Sequence, residues 1–119
     1  MAPFRAQALI REVGLRDGLQ SIQSILSSEH KIEWIAAAYA AGMRAIEVGS
    51  FVPAHRLPQL ADSGAVLAYA QTLSGLEVSV LVLNQQGAQR AIEAQAGLLL
   101  VPLFCQPRAQ SGEPAQDAG

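Results

Sequence analysis

Cysteine is almost missing from this 119-residue sequence, in which Cys105 stands alone. An internal disulfide is therefore excluded, and with no cysteine or histidine partner at a ligand spacing a structural zinc site is excluded too. A reducing compartment fits that usage. Charge is scarce as well, at 15% of residues with a formal net charge of −2, so no basic excess exists to attract nucleic acid or an anionic membrane. No stretch approaches the roughly 18 apolar residues of a membrane span, and residues 1–10 lack the apolar centre of a secretory signal. The expectation is a cytoplasmic protein with neither nucleic-acid nor membrane partners. Glycine-rich phosphate loops, nucleophile elbows and metalloprotease helices are likewise missing.

What the chain has in quantity is apolar residues, at 50%, enough for one globular unit with a buried core. They fall into short runs that alternate with helical patterns, as expected of βα units around a parallel sheet. Residues 8–13 read as a first strand, ending in a polar loop over 14–20. A helix then starts near Ser28, where a serine caps free N–H groups and Glu29 favours the first turn; Ile32, Ile35, Ala36 and Tyr39 share a face, and Gly42 stops it. Residues 45–48 form a second strand, followed by a loop with Pro53 and Pro58. A second helix begins at Asp62 or Ser63, burying Val66, Leu67, Ala70 and Leu73 and closing at Gly75. The run 78–83 reads as a strand covered on both faces, 85–95 as a weaker helix and 98–103 as a fourth strand. Four such units suit an open doubly wound sheet or about half of a (β/α)8 barrel, whose whole length is about 250 residues.

In either architecture, ligands meet the loops after the carboxyl ends of the strands. Glu12, Arg16, Asp17 and Gln20 gather after the first strand. Asp17 offers a hard oxygen to a divalent cation, and Arg16 a fixed charge to an oxyanion or enolate. A solvated turn with a weak surface ion pair accounts for the same dipeptide. Glu47 lies inside an apolar strand and requires a partner if buried, or else points to solvent from an exposed strand end. His55 with Arg56 could meet a phosphate or carboxylate or simply line a solvated loop, and His30 reads as surface. Asn84 could bond a substrate carbonyl or cap the following helix.

The run Glu12-Val-Gly-Leu-Arg-Asp-Gly-Leu-Gln20 resembles the first-strand signature of 3-hydroxy-3-methylglutaryl-CoA lyases, where proline usually replaces Leu15. Ile46-Glu-Val-Gly-Ser-Phe51 and then Leu57-Pro-Gln-Leu-Ala-Asp62 resemble that family's second-strand segment, in the same order. Arg-Asp-Gly alone also suits related barrel lyases and condensing enzymes; Gly-Leu-Gln and Gly-Ser-Phe favour the lyase branch. The resemblance covers roughly residues 8–103 and implies the N-terminal half of a (β/α)8 TIM barrel. It implies Asp17 as ligand to Mg2+ or Mn2+, Arg16 as stabiliser of the departing enolate, Glu47 in the same polar mouth, and Gln20 shaping it. It also implies an acyl-CoA substrate and a retro-Claisen cleavage to acetoacetate and acetyl-CoA, a step of leucine degradation.

The family's later metal-binding histidines and asparagine, and its mobile-loop cysteine, have no counterpart here, and Cys105 is too early to be that cysteine. After Leu103 the family continues with Ser-Ala-Ser and then histidine and asparagine. Here 104–119 is rich in Pro, Gly, Gln and Ala instead, which reads as an unstructured tail. A one-nucleotide shift of a back-translated frame restores the familiar continuation. The expectations are a partial barrel domain over 1–103, a divergent tail of frameshift origin, a catalytically silent truncated chain, and self-association through the sheet edge left open.

Overall fold

The structure, a computed structural model, describes residues 7–103; the tail 104–119, with Cys105, lies outside them. β1 (Ala45–Ser50), β2 (Glu77–Leu81) and β3 (Leu98–Leu100) form one sheet in sequence order, all parallel. Ahead of β1 a single parallel rung at Glu12 faces Ile46, its N–H donating to Ala45 O at 3.0 Å and its carbonyl accepting from Glu47 N at 2.9 Å. Consecutive parallel strands lying side by side, each joined by a helix, are the wall pattern of a βα barrel.

Three helices form in the expected order, the second stopping at Ala70 so that Leu73 and Gly75 fall in the loop after it. α1 (Ser28–Ala40) precedes β1, α2 (Ser63–Ala70) joins β1 to β2, and α3 (Gln85–Glu93) joins β2 to β3. The strand pleat puts Ile46, Val48, Val78 and Val80 into the same buried cluster as Ile35, Val66, Leu67, Ala70 and Ala91 of the helices. None of these described helices is long and apolar enough to cross a membrane.

The opposite face is polar. Glu47 and Ser79 stand opposite one another in the ladder and are both fully buried. From beyond β1, Arg11 donates to Ser79 Oγ at 3.0 Å and pairs with Glu77. Ala45, opposite Glu77, is small enough to let the guanidinium cross β1 to reach them.

Several expected boundaries shift for reasons the pairing makes plain. The first strand, expected over 8–13, shrinks to the Glu12 rung because β1 begins at Ala45, and Leu9 and Ile10 stay exposed. The fourth strand ends at Leu100 rather than 103 because its partner β2 ends at Leu81. The loop over 14–20 contains a π-helical turn, Gly14–Gly18, that buries Leu15. Ser27, not Ser28, caps α1, accepting from His30 N at 3.1 Å. The third helix stops at Glu93, two residues short of 95, and Gln95 turns into the left-handed region at φ +59°.

Candidate active site

The site is built where the first two parallel segments end. Val13 O accepts from Arg16 N at 3.1 Å and Asp17 N at 2.7 Å, winding the backbone into the tight turn directly after the Glu12 rung. Glu12 folds its own carboxylate back onto that turn, Oε1 accepting from Gly14 N at 2.7 Å. A side chain at Gly14 would collide with the Trp34 ring and with Glu12, so glycine there is a requirement of close approach.

The turn delivers Arg16 to Glu47. Nε of Arg16 donates to Glu47 Oε2 at 2.6 Å, with the glutamate side chain 0% and the arginine 19% exposed. Of the alternatives open to Glu47, burial with an ionic partner is the one realised. The same guanidinium reaches outward through one NH group to Asp17 Oδ1 and to Gln20 Oε1, each at 3.4 Å. Asp17 itself is 70% exposed, so it keeps water on most of its surface. Arg16 thus bridges a buried carboxylate and a solvated one, and Glu47 Oε1 is buried without a hydrogen-bond partner.

A divalent cation fits one part of this arrangement. Asp17 is a hard, accessible oxygen donor of the type Mg2+ and Mn2+ prefer. No group of three or more His, Cys, Asp or Glu capable of holding a metal occurs among the described residues.

Asn84 stands apart, after β2. Its Oδ1 accepts from Gly87 N at 2.8 Å and caps α3, which realises the capping alternative for that oxygen and leaves the amide nitrogen as a donor. His55 and Arg56 lie on the exposed loop after β1, and His30 is exposed in the first turn of α1.

Two features escaped the sequence reading. Lys31 is 1% exposed, its Nζ donating to Asp62 Oδ1 at 2.5 Å and Gln59 O at 2.6 Å, while Ser28 Oγ donates to Asp62 Oδ2 at 2.6 Å. The signal was there: Lys31 is four residues before Ile35, on the same helix face. The second is Gly49, beside a bulge between Glu47 and Gly49. A Cβ there would fall well inside contact distance of Ser63 Oγ, the group that accepts from Ser50 N at 3.0 Å and donates to Leu60 O at 2.6 Å. Glycine at this position lets α2 seat its first turn on β1.

Comparison with known proteins gives the family and the fold. The HMGL-like family model matches residues 7–106. The chain is 42% identical over 87 residues to the cytoplasmic 3-hydroxy-3-methylglutaryl-CoA lyase of Rattus norvegicus, covering 73% of this chain and 25% of that protein. The crystal structure of the Bacillus subtilis HMG-CoA lyase superposes with a TM-score of 0.74 at 34% identity, over 84% of this chain and 34% of that one. An HMG-CoA lyase from Acinetobacter baumannii, solved with coenzyme A and 3-methylmalate, superposes at 0.69 and 32% identity, over 78% and 30%. The chain therefore spans about a quarter to a third of the length of the relatives it matches. Its sheet is part of the wall of a TIM barrel, and the chain belongs to the HMGL-like family.

Proposed function

We propose that this chain supplies the opening wall and part of the mouth of a carbon–carbon lyase that cleaves 3-hydroxy-3-methylglutaryl-CoA to acetoacetate and acetyl-CoA. The observation that carries the reading is the Arg16–Glu47 pair, a cation held at 2.6 Å by a carboxylate that has no exposure of its own. In the cleavage, the tertiary hydroxyl loses its proton to a base, the new carbonyl forms as the C–C bond breaks, and the bonding electrons pass to the thioester as an enolate, whose carbon then takes up a proton to give acetyl-CoA. A cation fixed beforehand at that oxygen lowers the barrier without reorganisation. Arg16 serves this role because its Nε is anchored by Glu47 while an NH group remains near the mouth.

Asp17 would hold Mg2+ or Mn2+ as one oxygen ligand, and the bound ion would acidify the substrate hydroxyl. Gln20 restrains the outward NH of Arg16, and Glu47 Oε1 offers a buried acceptor to a substrate donor. Asn84 is proposed to contact the acyl-CoA through its amide nitrogen. The compartment proposed is the cytosol. By themselves residues 7–103 are proposed to be catalytically silent and to associate through the flank of β3 that is unpaired among the described residues.

The test is a chimera in which residues 7–103 replace the matching segment of the Bacillus subtilis lyase. Metal-dependent release of acetoacetate is expected. A folded chimera that binds acyl-CoA yet releases none would defeat the assignment, and turnover by the isolated chain with Mg2+ at an ordinary enzyme's rate would defeat its silence.

A further inference from the structure

We propose that Lys31 is a positioning residue for the Arg16–Glu47 pair: hydrogen-bonded to neither member, it holds the bulge in β1 that aims Glu47 at Arg16. The inference rests on the role given to Arg16 above, and its first measurement needs no substrate. Lys31 is 1% exposed, and a charge at that depth is tolerated only with close partners. Both of its partners, Gln59 O at 2.6 Å and Asp62 Oδ1 at 2.5 Å, belong to the segment that joins β1 to α2. Asp62 is held a second time by Ser28 Oγ at 2.6 Å. The first turn of α1 therefore clamps that segment just before α2 begins.

The clamped segment leads into Ser63, the first residue of α2 and 3% exposed. Its hydroxyl donates to Leu60 O at 2.6 Å and accepts from Ser50 N at 3.0 Å, which stitches the segment to the end of β1. Gly49 lies against the same hydroxyl, so the strand and the start of α2 move as one.

This stitch sits on the bulge. Glu47 stands opposite Ser79 and Gly49 opposite Val80, leaving Val48 as the extra residue. Sliding the extra residue by one place would set Val48 opposite Ser79 and turn Glu47 off the polar face, because side chains alternate along a strand. The 2.6 Å contact of Glu47 with Arg16 Nε belongs to the present register. Loosening the clamp frees Ser63, and with it the register that points the carboxylate inward.

Heteronuclear NMR of the full 119-residue chain reads the pair directly through the Arg16 Nε–H signal. Lys31→Met and Ser63→Ala should each speed its exchange with water by about tenfold, the worth of one net hydrogen bond. Ser27→Ala, which removes a cap from the same helix, should leave it unchanged. In the chimera, Lys31→Met should lower kcat by about tenfold to a hundredfold with KM for the acyl-CoA unchanged. Adding Ser63→Ala should lower kcat no further, since both act through one chain of contacts. If Lys31→Met fails to fold, Ser63→Ala alone carries both measurements. An Arg16 signal that neither variant alters, or that Ser27→Ala alters as much, would overturn the proposal. A rise in KM at constant kcat, or losses that add in the double variant, would do so as well. A chimera with no activity before any substitution would defeat the lyase reading, and the NMR measurement would still decide this one.

Discussion

Arg16 and Glu47 form a buried pair that ties the first turn to β1 and is proposed above to serve the chemistry. A buried carboxylate without a cation carries a large desolvation cost, and breaking a buried pair by removing one partner typically costs about 3–5 kcal/mol. Arg16→Met leaves Glu47, with 0% exposure, charged and alone. Urea denaturation should show a loss of about 3 kcal/mol, whereas Arg16→Met combined with Glu47→Leu should recover most of it. An unchanged midpoint for the single variant would mean the pair is solvated in solution. Gly49→Ala probes a different constraint, since the new methyl must displace Ser63. The expected cost is about 1–3 kcal/mol, read in the same titration.

At the scale of elements, the entry to α1 is fixed by two serines with separate tasks. Ser27 caps the helix through His30 N, and Ser28 binds Asp62 alongside Lys31. Ser27→Ala should lower stability by about 1 kcal/mol. Lys31→Met should cost more, because it also frees the loop ahead of α2, where Gln59 O accepts from Lys31 and Gln59 Nε2 donates to Ile22 O. Hydrogen exchange is expected to rise around residues 57–62 in the Lys31 variant and to stay unchanged there in the Ser27 variant. Equal exchange in both would show that the lysine does not hold that loop. Apolar periodicity predicted all three helices, since burial follows spacing. It passed over Lys31, because a lysine reads as solvent-facing until a carboxylate from another element is brought to it.

At the scale of the molecule, Asp17, the cation ligand proposed above, is 70% exposed, and no group of three or more His, Cys, Asp or Glu able to hold a metal occurs among the described residues. Ligand binding stabilises a fold by RT ln(1 + L/Kd), L being the free ligand concentration, which is small for a weak site, so EDTA or added Mg2+ should leave the thermal midpoint of the isolated chain within about 1 °C, read by differential scanning fluorimetry. A larger rise with Mg2+ would point to a fuller metal site than Asp17 provides. The parallel βα order and the candidate cluster after the first strand were legible in the sequence, because apolar runs set strand order and loops after strands set where a site can form. Asp17 and Arg16 were found as neighbours in the chain; Glu47, 31 residues further on, was assigned to the same mouth by the family resemblance, but its pairing with Arg16 was not legible. Only the tertiary structure decided that Arg16 turns toward Glu47, that Arg11 crosses the small Ala45 to Ser79 and Glu77, and that the first strand shortens to one rung. Those outcomes depend on which strand ends lie opposite one another, and register is a property of two segments meeting in space that neither carries alone.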